Sequence, residues 1–504
     1  MKKIIFSFFI ILLFINLIPP AAKAAEGESR IQGEIIYNIL VDRYNNGDFE
    51  RDDQVDVEDP YAYHGGDLQG VIRKMDEYHE LGYTVLSLSP IMENAPDGYH
   101  GYWIEDFYEV EEQFGEMDDL RELIEEAHDR EMKVILELVT NYVAASHPIT
   151  ADPEKEDWID GEMTVETDWT ENAAALNQEN PEVQEYLIDV ASHWMEETDI
   201  DGFKLHAADQ ADPAFIENLT SELKNNNNNF YVLADILDPD ADIGHLQENP
   251  NIDAVDNYHM MEAITGVFAE EKHPVSEIYQ AYEEYGTEKD IIFVDDFYTE
   301  RFTQLFAENG RNSMTTWTLA LTYMYTSPGV PSLLQGSELP MFGKEIEDTR
   351  ELVPFHSGEP DLDEFHNRIS SLRAQFPALA HGDFELAGSS GAMSIMKRTL
   401  DGEELYIAIN NDTETQVVTL DGIDEGMQLR GFLEDHTVRE NDNGEFKVGL
   451  ARESAEVFRV QPDTGINWGF ISFVAGVFIL FVVAVIILSR KQKQREAQDQ
   501  INKA

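Results

Sequence analysis

The 504-residue chain contains no cysteine and few basic side chains. Without cysteine there are no disulfides, no thiol catalysis and no cysteine-ligated metal sites. Its 34 Lys and Arg side chains stand against 100 Asp and Glu side chains, so the formal net charge is −66. A surface with this charge repels nucleic acid and other polyanions. The composition therefore predicts no nucleic-acid partner and favours an uncharged ligand.

The first 24 residues have the three parts of a secretory signal. Lys2 and Lys3 provide a basic start, residues 4–18 are apolar, and residues 22–24 read AKA. Small residues at that place are typical of a cleavage site. We therefore expect residues 1–24 to be a signal peptide that is removed during export.

A second apolar segment, residues 468–488, carries no charged side chain. At about 1.5 Å per residue it is long enough to cross a hydrocarbon core of about 30 Å. Arg490, Lys491 and Lys493 follow it, and basic residues beside a span stay cytoplasmic. The segment predicts a single transmembrane helix in the cell membrane, with the bulk of the protein outside and residues 489–504 as a cytoplasmic tail. The alternative is a buried core helix.

Between residues 34 and 338, short apolar runs alternate with amphipathic segments, which is typical of repeated βα units. Eight strands are predicted, at residues 35–40, 84–88, 133–138, 202–205, 231–234, 253–258, 291–294 and 332–335. We therefore predict an α/β fold with a (β/α)8 TIM barrel over residues 25–377. The connection after the third strand is too long for an ordinary loop, so residues 142–180 are expected to form a small inserted domain.

The pattern changes after residue 372 to an alternation with period two. Residues 394–400 and 403–409 are joined by Asp401 and Gly402, and this dipeptide is a strong hairpin signal. We predict an antiparallel β-sandwich over residues 378–461. Residues 462–467 would then be a linker to the transmembrane helix.

Four segments resemble motifs of the α-amylase family of glycoside hydrolases. Residues 99–103 read YHGYW, residues 134–142 read VILELVTNY, residues 293–302 read FVDDFYTERF, and residues 336–338 read GSE. The resemblance runs from about residue 34 to residue 460. It implies a barrel that acts on α-glucans by retaining cleavage of α-glucosidic bonds, with two carboxyl groups about 5–5.5 Å apart.

The resemblance also places the three acids of that reaction, and each position is substituted. Residues 201–209 read DGFKLHAAD, which puts His206 at the nucleophile. Residues 230–235 put Asp235 at the general acid, where the family has the longer glutamate. On the seventh strand, Tyr298 stands at the third acid and Phe297 at the preceding histidine. An imidazole offers no negative charge to an oxocarbenium-like transition state, so hydrolysis by the family mechanism is not expected.

Four further departures surround these positions. Lys204 replaces an arginine, Tyr142 a histidine, Gln210 another histidine and Glu137 an aspartate of the motifs. Lysine keeps the charge of arginine but not its planar fork. Since catalytic groups act as a unit, the loss of one already removes most of the activity.

Residues 99–103 resemble the family segment that lines the sugar-binding subsite before the scissile bond, and they keep its aromatic residues. Tyr99, His100, Tyr102 and Trp103 stand as the family has them, and aromatic faces supply apolar area to sugar rings. Together with Tyr142, Lys204 and Phe297 they are the candidate substrate-binding residues. The alternative is that these rings only pack the mouth of the barrel.

Calcium is the one cofactor that the resemblance suggests. Asn46, Asp48, Asp52 and Asp67 resemble a calcium loop of some family members, and hard oxygen ligands suit that ion. The alternative is a solvated acidic loop. Asn141 is the remaining candidate ligand of the family's central calcium site.

Three hypotheses for function remain open at this stage. The first is a membrane-anchored family member that binds an α-glucan with hydrolysis lost or strongly impaired. The second is an active hydrolase that uses Asp235 with Asp209, Asp295 or Asp296 in unusual roles. The third is a non-enzymatic ectodomain that pairs with another membrane protein.

Overall fold

The computed structural model describes residues 30–160, 169–463, 465 and 468–501. The expected signal peptide, residues 1–24, lies outside the described residues. Eight parallel strands close into a barrel in the order β1-β8-β7-β6-β5-β4-β3-β2. They are β1 (Ile36–Ile39), β2 (Val85–Leu88), β3 (Lys133–Leu138), β4 (Gly202–Leu205), β5 (Tyr231–Ala234), β6 (Ala254–Asp256), β7 (Asp290–Ile292) and β8 (Val330–Leu334). The predicted TIM barrel is therefore confirmed.

Helices alternate with these strands and cover the outside of the barrel. In chain order they are α1 (Leu68–Ile72), α2 (Met75–Leu81), α3 (Met117–His128), α4 (Pro181–Glu197), α5 (Pro213–Asn226), α6 (Gly244–Glu248), α7 (Tyr258–Phe268), α8 (Ser276–Tyr285), α9 (Phe302–Glu308), α10 (Ser313–Thr326), α11 (Ile346–Thr349), α12 (Pro360–Gln375) and α13 (Pro377–His381). Helix α3 buries Leu120, Leu123 and Ile124 along one face, as their spacing predicts.

The local sequence explains where β6 ends. The apolar pattern predicts a strand over residues 253–258, but the strand stops at Asp256 and helix α7 begins at Tyr258. Asn257 lies between them, and its side chain accepts a hydrogen bond from the backbone N–H of Met260. This N-cap satisfies an otherwise unpaired helix donor and ends the strand.

The connection after β3 carries a small antiparallel pair of strands, Tyr142–Ala144 with Ala173–Ala175. Between them, 3-10 helices span Pro148–Ala151, Pro153–Trp158 and Thr170–Asn172. A second antiparallel pair, Met92–Asn94 with Ile104–Val110, follows β2. Both pairs lie in the connections that follow the carboxyl ends of barrel strands, which is where TIM-barrel sites are built.

The C-terminal domain consists of two antiparallel sheets packed face to face. Its strands are β9 (Asp383–Ser390), β10 (Met393–Leu400), β11 (Glu403–Asn410), β12 (Gln416–Leu420), β13 (Met427–Gly431), β14 (Thr437–Arg439), β15 (Phe446–Leu450) and β16 (Ser454–Pro462). One sheet has the order β9-β10-β11-β16-β13-β14, and the other pairs β12 with β15. Asp401 and Gly402 both have positive φ, 51° and 84°, as the predicted hairpin turn requires.

A long helix, α14 (Trp468–Ile501), follows the sandwich. Within Ser472–Arg495, an 18-residue window has a mean hydropathy of 2.9, and none of that window is buried against the rest of the protein. By length and composition this segment is able to cross a membrane.

Candidate functional site

Residues at the predicted catalytic positions and their neighbours meet at the carboxyl ends of the barrel strands. Glu137 lies on β3, Lys204 on β4 and Asp256 on β6, while His206 and Asp235 directly follow β4 and β5. The adjacent Ala207 adopts a left-handed backbone with φ of 47°, which is strained for a residue other than glycine. The side chain of Asn141 donates to the carbonyl of Ala207 at 2.8 Å and helps to hold that conformation.

His206 is fully buried and contacts three polar groups. Its Nδ1 lies 2.7 Å from Oε1 of Glu137 and 3.2 Å from Oδ2 of Asp235. Its Nε2 lies 2.7 Å from the hydroxyl of Tyr142. Burial alone would lower the pKa of His206, but the hydrogen bonds and negative charges of Asp235 and Glu137 outweigh it and raise the pKa to about 9. The imidazole is therefore a cation at neutral pH.

Lys204 forms the second cation of the cluster. Its Nζ lies 2.9 Å from Oδ2 of Asp256 and 3.3 Å from Oδ1 of Asp235. Burial opposes ionisation of Asp235, yet Lys204 and His206 hold the pKa of that carboxyl well below its usual range. Burial raises the pKa of Asp256, and the charge of Asp235 adds to that effect. The pKa values of the two carboxyls therefore move apart, and Asp235 is the more acidic of the pair.

The oxygens of Asp235 accept from three donors. They are Nζ of Lys204, Nδ1 of His206 and, at 3.4 Å, the backbone N–H of Ala207. A general acid must carry a proton toward the leaving oxygen, whereas these contacts favour the ionised form of Asp235.

Tyr298 stands at the position predicted for the third acid and has an aromatic ring there. Its hydroxyl lies 2.9 Å from the hydroxyl of Tyr102. The Tyr102 ring in turn lies 4.5 Å from the ring of His206, measured between centroids. Phe297, the neighbouring substitution, lines a small cavity below these rings. The aromatic residues therefore close over the charged cluster.

Trp169 packs against the same aromatic rings, and the sequence did not identify it as a residue of the site. Its ring stacks on Tyr102 at 4.7 Å and lies 5.2 Å from Tyr298. Its Nε1 donates to the hydroxyl of Tyr142 at 2.8 Å. The side chain comes from the connection after β3, whose length predicted an insertion but not which residue reaches the site.

The space left at the carboxyl ends of the strands is too small for a sugar. The cavity bordered by Glu137, Lys204, Asp235, Phe297 and Tyr298 has a volume of about 20 Å³. A volume of this size holds about one water molecule, whereas ligand pockets usually measure about 300–1,000 Å³. A pyranose ring therefore does not fit unless lining side chains such as Tyr298 move.

An open cleft lies on the outer side of the same aromatic wall. It has a volume of about 360 Å³ and is lined by Asp59, Tyr61, Ala62, Pro96, Asp97, Tyr99, His100, Trp103 and Asn172. Three of the four predicted sugar-binding aromatics therefore face this cleft, while Tyr102 packs inward. The rings of His100 and Trp103 meet edge to face at 4.7 Å.

The aspartates that were alternative catalytic candidates serve as backbone acceptors. Asp209 accepts from the N–H groups of Leu237 and Asp238. Asp295 accepts from the N–H of Phe302 at 3.0 Å. Asp296 accepts from the N–H of Tyr298 and contacts the hydroxyl of Tyr258.

The N-terminal acidic loop has oxygen donors that suit calcium. Oδ1 of Asn46 is buried without a hydrogen-bond partner among the described residues, and its amide nitrogen donates to Asp52 at 2.9 Å. Asp67, in contrast, accepts three backbone N–H bonds, from Gly47, Asp48 and Gly70. Asn46 and Asp52 are thus the residues best placed to hold an ion, and Asp67 organises the loop.

The other candidate metal ligands either have partners within the protein or do not suit calcium. Asp48 pairs with Arg51 at 3.2 Å. Oδ1 of Asn141 accepts from the side chain of Gln178 at 2.9 Å. Glu137, His206 and Asp235 present donor atoms within 4.8 Å of one another and could hold a metal ion. Because calcium takes oxygen ligands, the imidazole in this set does not fit that ion.

The chain forms a TIM barrel with a cluster of polar side chains at the carboxyl ends of its strands. This is the end of the barrel at which the sites of this fold lie. Residues 38–170 and 154–369 match the family described as "Alpha amylase, catalytic domain", and residues 382–458 match "Alpha-amylase C-terminal domain". The chain therefore belongs to the α-amylase family of glycoside hydrolases, whose members act on α-glucans.

Solved structures and curated relatives agree with this assignment. An Anoxybacillus α-amylase is 39% identical, covers 87% of this chain and 100% of its own, and superimposes with a TM-score of 0.82. The α-amylase of Geobacillus thermoleovorans, solved with acarbose, is 37% identical with a TM-score of 0.81 and the same coverage of both chains. A β/α-amylase of Paenibacillus polymyxa is 28% identical over 84% of this chain, which spans 37% of that protein. A cyclomaltodextrinase of Thermoanaerobacter pseudethanolicus is 27% identical over 77% of this chain and 72% of its own.

Proposed function

We propose that this chain binds an α-glucan at the outer face of the cell membrane and has lost the hydrolytic step of its family. The observation that carries the proposal is the environment of His206. At the position of the nucleophile stands a buried cation, held by Glu137, Asp235 and Tyr142. All three positions of the family's acids are substituted.

The chemistry of retaining cleavage needs one carboxylate to attack the anomeric carbon and one carboxylic acid to protonate the leaving oxygen. A protonated imidazole has no lone pair with which to attack. The ionised Asp235 has no proton to donate. Both halves of the first step are thus missing, and the positive charge of Lys204 and His206 opposes an oxocarbenium-like transition state.

Glucan binding is assigned to the outer cleft, because the inner cavity is too small for a sugar ring. Aromatic side chains such as Trp103 and Tyr61 offer apolar faces to sugar rings, and Asp59 and Asp97 offer acceptors for hydroxyl groups. The Geobacillus relative was solved with acarbose, an observation that favours an α-glucan as the ligand class. A neutral polymer is also compatible with the net charge of −66.

Membrane attachment is proposed from the C-terminal helix and the basic residues within it. Ser472–Arg495 is long and apolar enough to span a bilayer, and the basic residues from Arg490 onward favour the cytoplasmic side for its C-terminal end. Together with the signal-like start of the chain, these features support a topology in which the barrel and the sandwich lie outside the cell. Calcium is proposed as a structural ion held by Asn46 and Asp52, at a distance from the glucan.

Calorimetric titration with maltoheptaose, followed by analysis of products, tests the proposal. The full chain is prepared in a polyoxyethylene detergent, because maltoside detergents would compete for the site. Binding without products is the expected result. Trp103→Ala should weaken binding about tenfold, since a stacked aromatic contributes about 1 kcal/mol or more. The control Phe342→Ala removes a 59% exposed ring outside the cleft and should change nothing.

Two results would overturn the proposal. Maltose or glucose released at a rate that vanishes in Asp235→Asn would show an active enzyme with atypical acids. Absence of both binding and products, together with a membrane protein that purifies with the chain in stoichiometric amount, would favour the partner-binding hypothesis.

A further inference from the structure

A larger cleft lies away from the charged cluster, between the segment after β8 and helices α2 and α12. Its volume is about 580 Å³, within the usual range of about 300–1,000 Å³ for small-molecule sites. It is lined by Tyr44, Glu77, Tyr78, Glu80, Leu81, Glu338, Leu339, Phe355, His356, Gly358, Asp363, Glu364 and Asn367. None of these residues takes part in the proposed glucan cleft.

Glu338 lines this cleft and is only 6% exposed. Its Oε1 accepts a hydrogen bond from the hydroxyl of Tyr37 at 2.7 Å. Its Oε2 is buried and has no hydrogen-bond partner within the part of the chain that the structure describes. A buried carboxyl oxygen without a donor is costly, so a group that supplies positive charge at this place would be stabilised.

Aromatic rings stand beside this carboxyl. The rings of Tyr44 and Phe355 meet edge to face at 4.9 Å, and Tyr78 lies 5.7 Å from Tyr44. Tyr44 and Tyr78 are almost completely buried. The Nζ of Lys74 lies 4.1 Å from the centroid of the Phe355 ring. That ring therefore already takes part in a cation–π contact within the protein.

The rim adds further negative charge. Glu77, Glu80, Asp363 and Glu364 line the entrance, and the described lining residues include neither lysine nor arginine. Lys74 pairs with Glu77 and Arg368 with Glu364, which leaves Glu80 and Asp363 as the carboxyl groups of the rim without an ion pair among the described residues. Clefts lined by one sign of charge concentrate counter-ions of the opposite sign.

We propose that this cleft binds a small organic cation with an alkylammonium head, placed against the carboxyl of Glu338 and the partly exposed ring of Phe355. The apolar walls favour alkylated nitrogen over a strongly hydrated metal ion, because aromatic cages recognise quaternary ammonium groups by cation–π attraction. The carboxyl of Glu338 supplies the charge that distinguishes a cation from a neutral molecule of the same shape. The proposal uses different residues from the glucan proposal and stands or falls independently of it.

Burial raises the pKa of Glu338 to about 7. A bound cation favours the ionised carboxylate, so affinity should rise as the pH increases through about 7. The other charged and titratable groups of the lining are Glu77, Glu80, Asp363, Glu364 and His356.

The test is calorimetric titration of the full chain, in polyoxyethylene detergent at pH 8, with choline chloride. Equimolar sodium chloride controls for the general attraction of cations by an acidic protein, and 3,3-dimethylbutan-1-ol controls for shape, since it replaces the nitrogen by carbon. We expect saturable binding of choline and none of either control.

Glu338→Gln should weaken choline binding about tenfold or more, and Phe355→Ala by a similar factor, because each removes one of the two attractions on the cation. Glu425→Gln, an exposed carboxylate of the sandwich, is the matched charge control and should leave binding unchanged. If Glu338→Gln does not fold, Phe355→Ala against the aromatic control Phe342→Ala decides. Equal binding of the carbon analogue, unchanged binding in both cleft variants, or no choline binding to the wild type would each overturn the proposal. Maltoheptaose binding by the same preparations reports separately on the glucan proposal.

Discussion

Nδ1 of His206 lies 2.7 Å from Oε1 of Glu137, so two residues of the predicted catalytic motifs are direct partners. Oδ2 of Asp235 lies 3.2 Å from the same nitrogen. Without the imidazole both carboxyl groups would lose this partner, and an unpaired buried charge is costly. The three side chains therefore form one network at the carboxyl ends of the barrel strands.

Removal of the imidazole should destabilise the protein strongly. His206→Ala leaves Glu137 and Asp235 buried with only Lys204 to balance them, and loss of one partner of a buried charge pair costs about 3–5 kcal/mol. The midpoint of thermal unfolding measures this effect. His128→Ala is the control, because its contact with Asp201 lies near the surface and such pairs contribute about 1 kcal/mol or less. Equal effects of the two variants would contradict the assigned network.

Stability should fall as the pH rises through about 9. The pKa of His206 is raised from its ordinary 6.5 to about 9 in the folded protein. A raised folded pKa contributes stability that is fully present below about 6.5 and is lost as the pH passes the folded value. Thermal unfolding between pH 6 and 10 measures the loss. His206→Gln should lack this step, and an identical profile in the variant would argue against a charged imidazole.

Trp169→Ala should open the inner site. Truncation of a buried tryptophan costs about 3–5 kcal/mol, and the space between Tyr102 and Tyr298 then becomes available to a sugar ring. We expect maltotriose to bind more tightly to this variant than to the wild type, as measured by calorimetry. Trp317→Ala, which truncates an equally buried tryptophan of α10, should lower stability without any gain in affinity. A gain in both variants would show general loosening instead of a displaced ring.

A chain that ends at Asp463 should be released from the membrane. This truncation removes the apolar helix, whereas a chain that ends at Leu488 keeps the proposed span and loses only its tail. Fractionation of cells that express each form provides the measurement. We expect the first form in the culture medium and the second in the membrane fraction, and membrane retention of the shorter form would refute attachment through the helix.

The barrel could be predicted because its strands are recognisable from the local sequence alone. Residues 231–234 and 202–205 are short apolar runs between helical segments, and both strands have the predicted bounds. The bounds of β6 and β7 differ because caps and turns, such as the Asn257 cap, decide where a strand ends. Such side-chain hydrogen bonds compete with the apolar pattern on which the prediction rests.

The site was only partly predictable. His206, Asp235 and Lys204 are found from the register of their strands. Trp169 and Asp256 are not, because their places in the cluster depend on contacts between segments far apart in the chain. The split of the aromatic motif, with Tyr102 inward and Trp103 at the outer cleft, likewise depends on the fold of the whole insertion.

The sandwich ends at Pro462 and the long helix begins at Trp468. Five residues lie between them, and at full extension they cover about 20 Å. In the proposed membrane arrangement, the barrel therefore cannot reach far into the surrounding medium. Encounters with an α-glucan polymer would occur in a thin layer beside the bilayer. Lateral diffusion of the protein and arrival of the end of the glucan would set the rate of capture.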